Sequence, residues 1–197
     1  KADQIFFTHQ EVLDFHQKKF HIENSKLQIG HPIFEIKNEN ILSSNEYDYS
    51  KLPINIGYFG IFTDKIREPS NYINNIANKL DDEFHHHWYI NEDSKKYFTP
   101  VFNQDTHFFE QLIPREQAIK KMINNFHLLL SIGNKNKYQL PSKVIEYISL
   151  GKPVIHYAEI PTDPMYRFEN QFDNLKIINK ETEVNGINNY LKRFHNN

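Results

Sequence analysis

The sequence predicts an α/β fold, a doubly wound parallel sheet of about six strands with helices on both faces. Short apolar runs of strand length alternate along the chain with amphipathic stretches of helical period, the order expected of repeated βα units. One run, residues 128–130, is three consecutive leucines, as in a strand buried on both faces. With 197 residues, 39% hydrophobic and 14% aromatic, the chain is long and apolar enough to bury a core.

Residues 1–34 are predicted to be the last βαβ piece of one domain. Two short apolar runs flank a stretch of helical period, and Thr8 before that stretch is a suitable N-cap. Residues 35–53 are polar and have no periodicity, which is typical of a linker. The predicted elements are strands at 5–7 and 26–30 and a helix from 8 to about 20.

Residues 54–197 are predicted to form a second domain in which six strands alternate with helices. Prolines at 69, 114 and 141 each stand where a helix begins, a position that needs no backbone N–H donor. Gly151 suits the position just after a helix end. The predicted strands are 54–60, 84–90, 107–112, 127–132, 154–157 and 175–178, and the predicted helices are 69–80, 114–125, 141–150 and 181–194.

Composition and charge argue against several classes of function. A net charge of −2 and a pI of about 6.6 are unlike those of a polybasic nucleic-acid binder. Without cysteine there are no disulfides, thiolate metal sites or cysteine nucleophiles. No apolar run reaches the ~18 residues of a membrane span, and no signal peptide is recognisable. We therefore expect a cytoplasmic domain that belongs to a longer protein.

Ligands of such a sheet bind beyond the carboxyl ends of the strands, where helix N-termini offer N–H groups and partial positive charge. In the loop 60–67, Gly60 lets a ligand approach the backbone, and Lys65 and Arg67 can pair with phosphate oxygens. A plain turn with solvated cations is the alternative. The loop has neither a Gly-x-Gly-x-x-Gly pattern nor a P-loop, so NAD and ATP are not indicated. The other two loops at this edge are 112–115 and 133–143.

The loop 133–143 leads into the densest group of candidate residues. Pro141 and Ser142 begin a helix aimed at the carboxyl edge of the sheet, where backbone amides and Lys143 can cradle a diphosphate. Glu146 lies one turn further on, and a carboxylate there can accept hydrogen bonds from two ribose hydroxyls. In the alternative, Lys143 is solvated and Glu146 pairs with a nearby base. The spacing alone leaves both open.

The segment Gln-Leu-Pro-Ser-Lys-Val-Ile-Glu-Tyr-Ile-Ser-Leu-Gly-Lys-Pro-Val-Ile at 139–155 resembles the donor site of GT-B glycosyltransferases. The resemblance is strongest to bacterial retaining enzymes of polysaccharide and glycoprotein assembly. Residues 57–60, Gly-Tyr-Phe-Gly, resemble the opening of the family's C-terminal domain, and 112–116 fit the same order. Residues 2–6 and 28–32 resemble the end of its N-terminal domain. The resemblance therefore covers most of the chain.

The resemblance implies a Rossmann-like GT-B domain that is the donor-binding half of a glycosyltransferase. Such an enzyme transfers a hexose from a nucleotide sugar, most often linked to UDP, to a glycan, lipid-linked or protein acceptor. The family needs no metal ion, so no cofactor is expected beyond the nucleotide sugar, and nucleic acid is not an expected partner. Residues 1–34 would end the acceptor-side domain. Through the rest of that domain, peripheral association with the inner face of the cell membrane, or a homo-oligomer, is open.

The resemblance also implies roles for individual residues. Glu146 would hold the ribose, and the start of its helix would lie near the diphosphate. Gly60 would let the phosphates approach, Lys65 or Arg67 would neutralise them, and backbone groups around Ile113 would contact the base. The implied catalytic residues are Arg67 and Lys143, and the implied donor-binding residues are Gly60, Thr63, Lys65, Leu112, Ile113, Gly133, Asn134, Tyr138, Ser142, Val144 and Glu146.

One position departs from the family pattern. Many retaining members carry two glutamates eight positions apart, the first touching the donor sugar and the second touching the ribose. Glu146 matches the second, whereas Tyr138 stands at the first. This departure favours, as an alternative, a non-catalytic glycosyltransferase-like partner subunit. A sugar-nucleotide epimerase of the same fold is a further alternative, which would need catalytic acids in the absent half.

Other polar positions have ordinary structural explanations. On a strand, the first and third of the histidines at 85–87 share one face and the second has the other, which is poor geometry for a zinc site. His156 and Glu159 lie at the end of a predicted strand near the site and are candidates to line it. Arg115 is either a surface residue at a helix start or a cleft residue.

Overall fold

The computed structural model of the protein describes residues 3–30, 52–98 and 105–192. They form a two-stranded parallel sheet near the N-terminus and a six-stranded parallel sheet flanked by helices. The predicted α/β class and the parallel sheet of six strands are confirmed. Most of the predicted linker, together with residues 193–194 of the last predicted helix, lies outside the described residues. No helix in the described ranges is long and apolar enough to cross a membrane.

The strand order makes the larger sheet Rossmann-like. Its strands are β3 (Ile54–Phe59), β4 (Phe84–Ile90), β5 (His107–Gln111), β6 (Leu128–Ile132), β7 (Val154–Tyr157) and β8 (Leu175–Ile178). Across the sheet they run β5-β4-β3-β6-β7-β8, all parallel. The chain begins in the middle, winds to one edge, returns to the middle and winds to the other edge. Ligands of such sheets bind at the reversal, which lies here between β3 and β6.

Helices cover both faces of this sheet and bury two apolar cores. On one face, Leu128 and Leu130 pack with Tyr72 and Ile187 from two of the helices. On the other face, Leu129 lies in a second core, so the run of leucines is buried on both sides as its composition predicts. The helices are α1 (Gln10–Phe20), α2 (Ser70–Asn75), α3 (Arg115–Asn125), α4 (Ser142–Ser149) and α5 (Val184–Lys192).

The helix predicted at 69–80 is shorter in the structure. After α2 the backbone leaves the helical region at Ile76, with φ −122° and ψ −66°, and a 3₁₀ turn follows at Ala77–Lys79. Asparagine side chains explain the break. Asn75 donates its side-chain Nδ2 to the Asn71 carbonyl at 2.8 Å, and such bonds compete with helical backbone bonds. The polar stretch after β4 is also more regular than predicted, with a 3₁₀ run at Glu92–Phe98.

The N-terminal residues form a small unit in which β1 (Ile5–Phe7) and β2 (Leu27–Ile29) pair in parallel beside α1. The predicted N-cap is wrong, because His9 rather than Thr8 caps the helix by position and offers no side-chain cap bond. The unit contacts the larger sheet domain at few points. His9, which is fully buried, donates its Nε2 hydrogen to the Lys137 carbonyl at 3.0 Å, and Glu11 pairs with Arg167.

Two histidines, one on β4 and one on the edge strand β5, form part of the folded core. His86 is 2% exposed and stacks on His107 with ring centroids 4.6 Å apart, and Trp88 donates its Nε1 hydrogen to His107 Nδ1 at 3.0 Å. His85 and His87 lie on the opposite face, against Phe108, as the alternation of a strand predicts. Burial holds the pKa of His86 well below its usual value and lowers the pKa of His87 and of His107 to about 4.

We expect the free energy of unfolding to fall steeply as the pH drops from about 6.5 toward 4. Over that range these three histidines, His86, His87 and His107, bind protons in the unfolded chain but not in the folded one. Each such proton changes the free energy of unfolding by at most ~1.4 kcal/mol per pH unit. Urea unfolding between pH 7.5 and 4.5 measures the slope. Ring proton signals of His86 that titrate near pH 6.5 in the folded protein would contradict the prediction.

Candidate functional site

Two glycines mark the reversal point at the carboxyl edge of the sheet. Gly133 follows β6 and donates its N–H to the Tyr157 carbonyl at 2.8 Å. A Cβ on Gly133 would lie 2.3 Å from Asp163 Oδ2 and 3.0 Å from the Tyr157 carbonyl oxygen, so this position requires glycine. Gly60 follows β3, and its Cβ would lie 3.2 Å from the Tyr58 hydroxyl. Gly60 therefore leaves the backbone at the end of β3 open to a cavity, whereas the space beside Gly133 is filled by Asp163.

The loop after β3 is a tight turn that separates its two cations. Thr63 and Arg67 exchange two backbone hydrogen bonds, both at 2.9 Å. Lys65 sits at the tip with φ +63°, is exposed, and donates its N–H to Glu68 Oε1 at 2.7 Å. Arg67 instead lines a cavity of about 140 Å³ between the ends of β3 and β6. The two candidate cations therefore differ, because one faces the cavity and the other faces solvent.

Arg67 is held in place by its neighbours. Its Nε donates to Asn134 Oδ1 at 3.0 Å, and Asn134, 1% exposed, donates its Nδ2 to the Gln139 carbonyl at 2.9 Å. The hydroxyl of Tyr58 also contacts the Arg67 guanidinium; burial raises the pKa of Tyr58 to about 12, with Arg67 acting in the opposite sense. A fixed amide oxygen and a neutral phenol thus hold a positive charge at the edge of the sheet.

The start of α4 faces the same 140 Å³ cavity. Ser142 and Lys143 are exposed and line it, together with Pro141. Val144 differs from its neighbours, since its side chain is fully buried in the core and its N–H donates to the Pro141 carbonyl at 3.3 Å. The N–H groups of Ser142 and Lys143 are the first of α4 and have no acceptor within the helix, and the helix dipole adds partial positive charge there.

Glu146 is buried and paired with a base. It is 6% exposed. Arg115 donates hydrogen bonds from both Nε and Nη2 to a single carboxylate oxygen, Oε1, at 2.7 and 2.6 Å. Arg115 is therefore a cleft residue, which the sequence left open. The pairing of Glu146 with a nearby base, one of the two alternatives above, is what the structure contains. In the described part of the chain no hydrogen bond to the other oxygen, Oε2, is found.

Beside Glu146 lies a larger cavity of about 320 Å³, within the size range of small-molecule sites. Its walls are mostly apolar, with Tyr89, Ala118 and Met122 at the base and Leu112 and Ile113 from the loop after β5. The polar side of this cavity is formed by Gly60, Lys143, Glu146 and Arg115. Because Gly60 and Lys143 also line the 140 Å³ cavity, the two cavities are adjacent along the edge of the sheet.

Not every candidate residue lies at these cavities. Tyr138 is 45% exposed, and its ring packs against Phe15 of the N-terminal unit with centroids 5.3 Å apart. Thr63 contributes backbone bonds to its turn and its side chain is exposed. Asn134 lies outside the cavities and orients Arg67 by a hydrogen bond. Gly133 also lies outside them, and its lack of a side chain leaves room for Asp163. The cavity walls themselves include Gly60, Arg67, Leu112, Ile113, Ser142, Lys143 and Glu146.

Beneath Gly133 lies a buried polar cluster that sequence reasoning did not assemble. His156 Nδ1 and Ser131 Oγ are 3.0 Å apart, and His156 Nε2 lies 3.2 Å from Asp163 Oδ2. All three side chains are 5% exposed or less, so His156 does not line the site as expected but supports it from below. Asp163 Oδ1 also accepts the Met165 N–H at 2.9 Å, which fixes the loop after β7. Only the alternation of β7 could have indicated this inward direction.

Comparison with known proteins gives no family model that matches this chain and no match among curated proteins. Within the described ranges, no group of three or more His, Asp or Glu side chains is placed to hold a metal ion.

We expect Gly133→Ala to lower the free energy of unfolding by roughly 2 kcal/mol, because its methyl group overlaps Asp163 and the Tyr157 carbonyl. Gly186→Ala is the matched control. A Cβ at Gly186 meets nothing closer than Thr182 Cγ2 at 3.9 Å, and Gly186 lies within α5, where alanine gains up to ~1 kcal/mol. Urea unfolding of both variants measures the difference, and equal stabilities would contradict the assignment.

Proposed function

We propose that this chain is the donor-binding half of a glycosyltransferase that uses a nucleotide sugar, with UDP as the expected nucleotide. One observation carries the proposal. At the reversal point of a parallel sheet, a positioned arginine, the N-terminus of α4 with Lys143, and a buried carboxylate one turn into that helix all border two adjacent cavities. This set of groups suits a diphosphate, a ribose and a base placed in a row.

The placement of the nucleotide follows from the chemistry of each wall. The apolar 320 Å³ cavity suits the flat face of a base, whose edge groups can reach the backbone at Leu112 and Ile113. Because Arg115 uses Oε1 of Glu146, Oε2 is the oxygen that accepts a ribose hydroxyl. Arg115 then acts as a positioning residue that fixes the direction of the carboxylate.

The diphosphate then lies between Gly60 and the start of α4. Arg67, Lys143 and the α4 dipole supply positive charge where the leaving diphosphate becomes more negative as the glycosidic bond breaks. Charge that grows in the transition state is stabilised more strongly there than in the bound substrate. We propose transfer without a metal ion, because these groups already neutralise the phosphates.

Residues 1–34 are proposed to end an acceptor-side domain that binds a glycan, lipid-linked or protein acceptor, and the protein is proposed to act in the cytoplasm or at the inner face of the membrane. A non-catalytic partner subunit is the second candidate. The position of Tyr138, which contacts Phe15 rather than the cavities, favours it. Transfer by the longer protein separates the two candidates.

Titration calorimetry with UDP, GDP, ADP and CMP tests the donor site directly. We expect one nucleotide, UDP, to bind with a dissociation constant between micromolar and low millimolar. Glu146→Gln should weaken it about tenfold, roughly 1.4 kcal/mol, through loss of a charged acceptor for the ribose. Glu169→Gln is the control, since Glu169 pairs with Lys176 on the surface at 3.6 Å. Failure of all four nucleotides to bind would remove the proposal.

Arg67→Ala and Lys143→Ala should lower kcat by about a hundredfold and raise KM only a few-fold, because their charge acts mainly on the leaving group. Lys65→Gly is the matched control, because it removes a positive charge that faces solvent. Lys65 has a positive φ, so glycine causes no strain there. We expect it to leave both parameters unchanged. Steady-state kinetics of the longer protein give the comparison; equal losses in kcat and in affinity count against the assigned role.

A further inference from the structure

A third cavity opens at the carboxyl ends of β7 and β8, on the far side of the reversal point from the proposed base. It has a volume of about 480 Å³. Three polypeptide segments form its walls, namely α2, the loop after β7 and the loop after β8. The polar side chains that matter here are Asn71, Asn75, Tyr157, Glu159, Tyr166 and Asn179.

Glu159 is the acceptor in this cavity. Its Oε2 accepts the Nδ2 hydrogen of Asn71 at 2.8 Å, while its Oε1 is buried and has no hydrogen-bond donor among the described residues. Burial raises the pKa of this carboxyl group. A carboxylate oxygen removed from water without a donor costs free energy. A ligand that brings a hydroxyl to Oε1 recovers that cost.

Two tyrosines provide donors in the same cavity. The Tyr157 hydroxyl oxygen accepts from Asn75 Nδ2 at 3.3 Å, and the Tyr166 hydroxyl oxygen accepts from Asn179 Nδ2 at 3.2 Å. Each tyrosine therefore keeps its own O–H proton to donate. Burial raises the pKa of Tyr157, which keeps that proton in place at neutral pH. Donors and an acceptor beside aromatic rings match a ligand whose hydroxyls both donate and accept.

The cavity lies along the same carboxyl edge of the sheet as the proposed donor site. Neighbouring strand ends are ~4.8 Å apart, so the ends of β7 and β8 lie roughly 7 and 12 Å from the reversal point between β3 and β6, where the diphosphate is placed. A hexose is bonded directly to the outer phosphate and extends over a similar distance. Lys135 pairs with Glu68 at 2.7 Å beside the Arg67 turn, and its positive charge opposes the rise in the pKa of Glu159 that burial causes.

We infer that the 480 Å³ cavity holds the hexose of the nucleotide sugar, with Glu159 accepting a hydrogen bond from a ring hydroxyl and the two tyrosines donating to others. The inference rests on the proposed donor site and adds to it the place and chemistry of sugar recognition. The ligand class is a hexopyranose without negative charge, since Glu159 and Glu181 outnumber Lys180 among the charged residues that line the cavity.

Calorimetry with UDP, UDP-glucose, UDP-galactose and UDP-N-acetylglucosamine tests the inference on the 197-residue chain. At least one sugar nucleotide should bind about three- to tenfold more tightly than UDP, as one or two net hydrogen bonds give. Glu159→Gln should abolish that advantage and leave the affinity for UDP within about twofold. Glu169→Gln is the control, and far-UV circular dichroism with urea unfolding verifies that each variant folds.

Side-chain amide signals provide a second measurement. In nuclear magnetic resonance spectra of the wild type, the Asn75 and Asn179 amides should shift with the preferred sugar nucleotide and not with UDP. Equal binding of UDP and every sugar nucleotide, or an advantage that persists in Glu159→Gln, overturns this inference and leaves the nucleotide site standing. Absence of binding by any nucleotide overturns the proposed function and this inference together.

Discussion

The carboxyl edge of the sheet depends on how closely the ends of β6 and β7 approach each other. Gly133 donates to the Tyr157 carbonyl, and the space that a side chain would take there is filled by Asp163. Below it, His156 joins Ser131 on β6 to Asp163 after β7. The buried cluster therefore fixes the spacing of two strand ends. That spacing sets where the loops to Arg67, α4 and Glu159 can begin.

The charged groups at this edge are held before any ligand arrives. Arg67 is oriented by Asn134, and Glu146 is oriented by Arg115. A charge that is already positioned loses little conformational freedom on binding and needs no reorganisation during a reaction. Arg115 is 62% exposed at its side chain, whereas Glu146 is 8% exposed at its side chain. The pair therefore spans from solvent to the interior at the rim of the proposed ribose site.

Local patterns were sufficient to predict most of the fold. The predicted bounds of β4, β7 and β8 agree with the structure. α2 was predicted too long, since asparagine side chains break it in a way that hydrophobic period does not reveal. At the site, Gly60, Lys143 and Glu146 follow strand ends or a helix start and could be predicted. The Arg115–Glu146 pair and the Glu159 cavity could not, because each joins segments that are distant in sequence.

The loop between β6 and α4 is bound at its two ends by different parts of the molecule. At one end Asn134 accepts a hydrogen bond from Arg67. At the other end the Lys137 carbonyl accepts a hydrogen bond from His9, and the Tyr138 ring packs against Phe15 of the N-terminal unit. Only two residues, Lys135 and Asn136, lie between Asn134 and Lys137, too few to absorb a displacement of several ångströms without moving the asparagine. Any displacement of the N-terminal unit would therefore reach Arg67 through Asn134 and change the orientation of its guanidinium.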